Sequence, residues 1–186
     1  MVMMKQFVSG AALVIITLSG FLSSCESNLK DVQRINTVSF APAARSENIN
    51  LKYTDSGKVK AILVSPLMLD YSNMKYKFNE FPKGIHLTLI DEAGKSSYVV
   101  SDYAISYDDT KIIDLQGNVK ITSYDGKELQ APQLYYDQKN EWFYTEKNFK
   151  FTDGKESYLE GPGIDFSKDF KVFNMQRNTG EINNVE

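Results

Sequence analysis

From Leu51 onward the chain breaks into short segments in which apolar and polar residues alternate. Val59, Ala61 and Leu63 form one such set, and Ile85, Leu87 and Leu89 another. Val119 with Ile121 and Phe149 with Phe151 continue it. A period of two predicts strands that bury one face and wet the other. Turn signals separate the segments: Asp55-Ser56-Gly57, Glu92-Ala93-Gly94, Gln116-Gly117-Asn118, Asp125-Gly126 and Asp153-Gly154. Beyond the first 25 residues no window holds a long helical period, so the chain is predicted to be all-β.

An internal repeat underlies the alternation. Leu129, Ala131, Pro132, Leu134 and Tyr136 recur 30 residues later as Leu159, Gly161, Pro162, Ile164 and Phe166. Looser copies lie upstream, at Val100, Ile105 and Tyr107 and at Val64, Leu69 and Tyr71. A Gly-Lys turn precedes each copy: Gly57-Lys58, Gly94-Lys95, Gly126-Lys127 and Gly154-Lys155. The unit is a two-strand module of about 30 residues, repeated along the chain. Within it, Leu129 and Ala131 share one parity, Leu134 and Tyr136 the other. Pro132 sits at the break, where it cannot donate to a ladder. A bulge there would add a residue and return both pairs to one face. Bulges repeated at one position curve a sheet. They predict a single curved β-jelly roll, or open antiparallel sandwich, of repeated two-strand modules.

The start of the chain has a different texture. Lys5, an apolar run over 7–22 with polar breaks, and Leu22-Ser23-Ser24-Cys25 read as a lipoprotein signal. The run is too short and too interrupted for a spanning helix. Residues 1–24 are then a signal peptide and Cys25 the lipidation site, which places the rest outside the cytoplasm. Residues 25–48, with Ala41-Pro42-Ala43-Ala44 and a polar run over 45–50, read as a lipid-anchored tether, and 49–186 as the folded domain.

Composition narrows the chemistry. The net charge is −3, and −4 once the segment holding Lys5 is removed. No stretch is strongly basic, so nucleic acid is not an expected partner. Cys25 is the only cysteine, so once it is acylated no disulfide can form. The only histidine, His86, alternates with Ile85 and Leu87 and is expected to face outward, with no nucleophile or orienting acid beside it. Asp108, Asp109 and Asp165 are expected in or beside turns, where aspartate is ordinary. No metal-ligand spacing or phosphate loop is present. No catalytic residue, metal or cofactor is expected.

The candidate site is therefore apolar. Val119, Ile121, Leu129, Ala131, Leu134, Tyr136, Phe149, Phe151, Leu159, Ile164 and Phe166, with Phe173, line the inward faces. They are either a filled core or the wall of a groove for acyl chains, and the pattern allows both.

Several motifs carry a resemblance. They are Glu47-Asn48-Ile49, Tyr53-Thr54-Asp55-Ser56-Gly57-Lys58, Glu80-Phe81-Pro82-Lys83-Gly84-Ile85 and Leu115-Gln116-Gly117-Asn118-Val119. The stretch 129–137, Tyr144-Thr145-Glu146 and Gly161-Pro162-Gly163 follow in order. Over about 48–182 the chain resembles the LptC family of lipopolysaccharide export. The resemblance implies a jelly roll open along one side. It implies a non-enzymatic carrier that accepts lipopolysaccharide from the permease subunits of an inner-membrane ABC transporter. The cargo would pass to a periplasmic bridge protein of the same fold. Acyl chains would lie against the eleven interior residues, with the anionic head outside. The net negative charge fits acyl burial rather than phosphate capture. The first strands, 51–69, would meet the transporter, and the last, 159–182, would pair edge to edge with the bridge protein. Better-known members begin with a transmembrane helix where this chain has a lipoprotein signal. The implied location is the periplasm, anchored to the inner membrane. The residues also allow another class, a structural or adhesive envelope lipoprotein with a closed β-sandwich core. A large open apolar interior would separate the two.

Overall fold

The computed structural model describes residues 40–181, except 156 and 176. The signal peptide, Cys25 and the tether up to residue 39 lie outside the described residues. The chain divides into two units, Met1–Phe40 and Ala41–Glu186, and the strands described belong to the second. They are β1 (Ala44–Asp55), β2 (Lys58–Asp70), β3 (Phe78–Phe81), β4 (Ile85–Ile90), β5 (Ser96–Ser101) and β6 (Tyr103–Tyr107). The others are β7 (Ile112–Thr122), β8 (Glu128–Asp137), β9 (Trp142–Thr152), β10 (Tyr158–Ser167), β11 (Phe173–Met175) and β12 (Thr179–Glu181).

All belong to one antiparallel sheet in which each pass of the chain lies beside the previous one. Most passes run through, but three are split, into β3 and β4, β5 and β6, and β11 and β12. The splits lie along a crease. On one side, the upper half, pairing runs β2–β4–β5–β7–β8–β9–β10–β12. On the other, the lower half, β3, β6 and β11 replace β4, β5 and β12. Both inner faces contribute to a single apolar core, so the sheet is folded on itself as a jelly roll.

The crease has a local cause in each strand. Register breaks between Gln116 and Val119 on β7, Gln130 and Tyr135 on β8, and Pro162 and Ile164 on β10. Leu129 and Ala131 are buried in the upper half and Leu134 and Tyr136 in the lower, on either side of the break, so both pairs do face the core. The extra residue, however, is not on β8. Gly117 and Asn118 together oppose Pro132, and β9 likewise carries one residue more than β8 and β10. The proline-bearing strands are the short side of each bulge and reverse parity, whereas β7 and β9 keep theirs. This also corrects the reading of Gln116-Gly117-Asn118 as a turn between strands. Gly117 and Asn118 are left-handed, at φ 72° and 44°, inside the continuous β7. Asp102 anchors them, donating from its backbone N to the Gly117 carbonyl at 3.0 Å and accepting from Asn118 Nδ2 at 2.6 Å. Gly84 marks the same line between β3 and β4, with φ 76°. A Cβ there would lie 2.3 Å from the Ser101 carbonyl oxygen, so no larger residue fits.

The four Gly-Lys turns join strands as expected, each with its glycine at positive φ. The first strand starts earlier than its sequence suggests. Residues 44–48, which read as tether, belong to β1. The strand shows no clear period because it is an edge: of its twelve residues only Ile49 is buried.

Candidate functional site

One inner row crosses the whole upper half. Leu51, Leu63, Leu87, Val99, Ile121, Leu129, Phe151, Leu159 and Gly180 are successive register partners. Val99, Ile121 and Leu129 are 0% exposed, Phe151 and Leu159 are half-buried, and Leu51 is 47% exposed. The row thus stays apolar out to part-exposed positions at its ends. The lower half has an aromatic counterpart in Ile113, Tyr136, Phe143, Phe166 and Phe173. Their rings stack, with centroids 4.4 Å apart for Tyr136–Phe143, 5.2 Å for Phe143–Phe166 and 5.7 Å for Phe166–Phe173. Parallel-offset stacking of this kind adds to plain burial and stiffens this wall.

All eleven candidate residues come together. Val119, Ile121, Leu129, Ala131, Leu134, Tyr136, Phe149, Ile164 and Phe166 are buried in the shared core, against which Phe151 and Leu159 pack. Burial holds the Tyr136 hydroxyl well above its ordinary pKa, and the charge of Glu141 adds to this.

The interior opens at a mouth away from the crease. A cavity of about 500 Å³ is floored by Ala61, Leu87, Leu89, Ile113 and Tyr136, from both halves. Tyr53, 64% exposed near the hairpin end of β1, stands at its side. The rim is charged: Lys60, Lys111, Lys139 and Lys168 against Asp108 and Glu141. Lys60 pairs with Glu92, and Lys168 with Glu141. The hydrogen bond with Glu92 raises the Lys60 pKa and lowers that of its partner. A second hollow of about 590 Å³ lies at the crease, but outward-facing Lys120, Gln130 and Lys150 form much of its wall.

The repeat builds the rim. Turns 108–111, 138–141 and 168–171 are spaced by 30 residues and stack on one another. Gln138 N donates to the Lys111 carbonyl at 3.0 Å, and Lys168 N donates to the Glu141 carbonyl at 2.9 Å. Lys111 and Glu141 both adopt left-handed φ, 59° and 53°, a conformation that β-carbon-bearing residues seldom take.

Leu51, Tyr53, Leu87, Leu89 and the rim lysines were not among the sequence candidates. The alternation in Leu51-Lys52-Tyr53 and the 30-residue spacing of 108, 138 and 168 were the signals available. His86 is exposed on the outer face. Among the described residues no three His, Cys, Asp or Glu side chains cluster to hold a metal, and no helix is long and apolar enough to cross a membrane.

A folded sheet whose apolar lining runs out to a charged mouth defines the class: an antiparallel β-jelly-roll protein with an accessible interior. The family model for LptC-related lipopolysaccharide assembly matches residues 10–181, and the chain belongs to that family. It is accordingly a periplasmic envelope component of lipopolysaccharide transport. No curated protein matches the chain.

Proposed function

We propose that this protein is a non-enzymatic lipopolysaccharide carrier. It accepts the lipid from the permease subunits of an inner-membrane ABC transporter and passes it to a periplasmic bridge protein of the same fold. In this reading Cys25 carries the lipid anchor at the inner membrane, 25–43 leads into the domain, and the eleven interior residues shape the acyl path. One observation supports it most. The inner row continues apolar from the dry centre to exposed Leu51 and half-buried Phe151 and Leu159. The row thus offers one continuous apolar stripe from the core to the sheet edge, rather than isolated exposed side chains. At about 0.8 kcal/mol per buried methylene, acyl chains gain strongly from such a surface. The edges suit chain-to-chain hand-off: among the described residues β1 pairs only with β2, and β11 and β12 pair only with β10.

Photocrosslinking in intact cells tests the reading. Reactive groups at Phe151 and Leu51 face the interior; those at Lys150 and Lys52, of opposite parity, face out. Lipopolysaccharide adducts are expected at the first two positions alone. No adduct at either, in folded and anchored protein, would leave the closed structural lipoprotein.

A further inference from the structure

The outer face of the lower half carries a polar and aromatic row that neither the core nor the acyl path uses. Asp114, Tyr135, Tyr144, Asp165 and Asn174 are successive register partners from β7 to β11. Neighbouring groups fix one another along it. Asp114 accepts from Gln116 Nε2 and from Gln133 Nε2, each at 2.8 Å, and Gln133 Nε2 also donates to the Tyr135 hydroxyl at 2.9 Å. The Tyr135 and Tyr144 rings stack, with centroids 5.1 Å apart. Asp165 Oδ1 accepts from Trp142 Nε1 at 3.0 Å and from Asn174 Nδ2 at 2.8 Å.

A cavity of about 260 Å³ borders this row at Tyr144, Asp165 and Asn174, with Glu146 beside them. Tyr135, on β8, covers one face of the Tyr144 ring, so the other face is turned to the β10 side, where the cavity lies. Gly163 also borders it and raises no side chain into it. One wall is therefore the face of an aromatic ring, and the opposite wall is a carboxylate and an amide already held in place. Both bonds to Asp165 fall on Oδ1, which leaves Oδ2 to accept from a ligand, and Asn174 has a carbonyl and a second N–H to offer. A sugar ring matches this set. Its C–H face is apolar enough to lie on an aromatic ring, and its hydroxyls both donate and accept. Charge narrows the choice: two carboxylates and no lysine or arginine line the cavity, so an anionic sugar would be repelled. Its volume, below the roughly 300–1,000 Å³ of drug-sized pockets, suits a single ring.

We propose that Tyr144, Asp165 and Asn174 form a site on the outside of the sheet for one pyranose ring of a neutral glycan. Tyr144 is the platform, and Asp165 and Asn174 position the hydroxyls. The site lies on the opposite face from the acyl path and does not depend on the carrier reading. Groups fixed before binding lower its ordering cost.

The test uses full-length protein in phosphatidylcholine nanodiscs and three tetrasaccharides: of N-acetylglucosamine, which is neutral, of glucosamine, which is cationic, and of galacturonic acid, which is anionic. Saturation-transfer NMR of the sugar protons reads binding. The neutral tetramer is expected to bind with a Kd of about 0.1–1 mM, as a shallow one-ring site should. Tyr144→Ala should weaken it about tenfold, and Tyr144→Phe, which keeps the ring, should stay within about twofold. Asp165→Asn should cost about fivefold. The control Tyr98→Ala removes an exposed tyrosine on β5 and should change nothing. No binding of the neutral tetramer, or equal effects of Tyr144→Ala and Tyr98→Ala, overturns the site. Tighter binding of the cationic tetramer that fades in high salt would mean an acidic patch for amines and would overturn the neutral assignment. Anionic binding equal to neutral would do the same. Lipid crosslinking at Phe151 reads the interior and should be unchanged in every variant.

Discussion

Ile121 and Leu51 stand in the same inner row of the upper half, a few strands apart, and meet opposite surroundings. Ile121 is fully buried, with β5 on one side, β8 on the other, and the shared core against it. Leu51 lies on β1, which among the described residues pairs with β2 alone, and is 47% exposed. The two side chains obey one alternation, yet one closes a core and the other presents apolar surface to water. Alternation decides which way a side chain points. Cover is decided by what the rest of the fold places opposite it. The centre therefore supplies stability, and the ends supply the exposed apolar surface on which the carrier reading rests.

The largest effect should come from exchanging these roles. Ile121→Glu buries an unpaired carboxylate and is expected to unfold the domain, costing at least about 4 kcal/mol. It is therefore a poor probe of lipid contact. Leu51→Glu should change stability by less than about 0.5 kcal/mol and still abolish lipid crosslinking at that end. Urea unfolding beside crosslinking yield separates the two. If both variants unfold, the ends are core like the centre.

Glycines extend the comparison from the row to the crease. Gly84→Ala meets the Ser101 carbonyl at 2.3 Å and also strains a φ of 76°, so a loss of roughly 2–4 kcal/mol is expected. Gly94→Ala, at φ 79° in a turn with open space around it, bears only the backbone strain and should cost about 1 kcal/mol. Thermal unfolding of the two variants ranks them. Equal losses would mean that the crease is not under packing constraint.

A smaller effect of opposite sign is expected nearby. The Ser101 hydroxyl is buried and has no hydrogen-bond partner among the described residues. Ser101→Ala removes that desolvated group and should stabilise by up to about 1 kcal/mol. A loss of stability in urea titration would indicate that the hydroxyl is satisfied by bound water.

The all-β class, the Gly-Lys turns and the inward set were legible because each rests on local chemistry. Period two, positive-φ glycine and proline at a ladder break are all visible along the chain. Pro132 even located the crease. What it could not tell was that Gly117, Asn118 and the middle of β9 would supply the extra residues, because a bulge is a property of two strands. For the same reason β1 was partly hidden, since an edge strand wet on both faces has no burial pattern to read. The rim lysines were out of sight for a third reason. Lys111 and Lys139 lie 28 residues apart in sequence and reach the same rim only because their turns stack.

The smallest predicted effect sharpens the contrast at the C-terminal end. Asp169, in the turn between β10 and β11, has its pKa drawn down from 3.8 to about 2, chiefly by the hydrogen bond with Lys171 and also by Ser167. A carboxyl that is more acidic when folded stabilises the folded state above its unfolded pKa. That contribution is lost as pH falls from about 4 through about 2. Both partners are solvent-accessible, so screening leaves a few tenths of a kcal/mol. Asp169→Asn should therefore flatten the acid limb of the stability curve slightly in that window, leave neutral-pH crosslinking at Phe151 unchanged, and lose its effect in high salt. Aliphatic Ile121 carries no such acid dependence. An Asp169→Asn loss as large as that of a core substitution would show that the turn over Phe170, which is buried against Phe166, clamps the end shut. The interior would then be closed there, and the open-ended reading would hold only at β1.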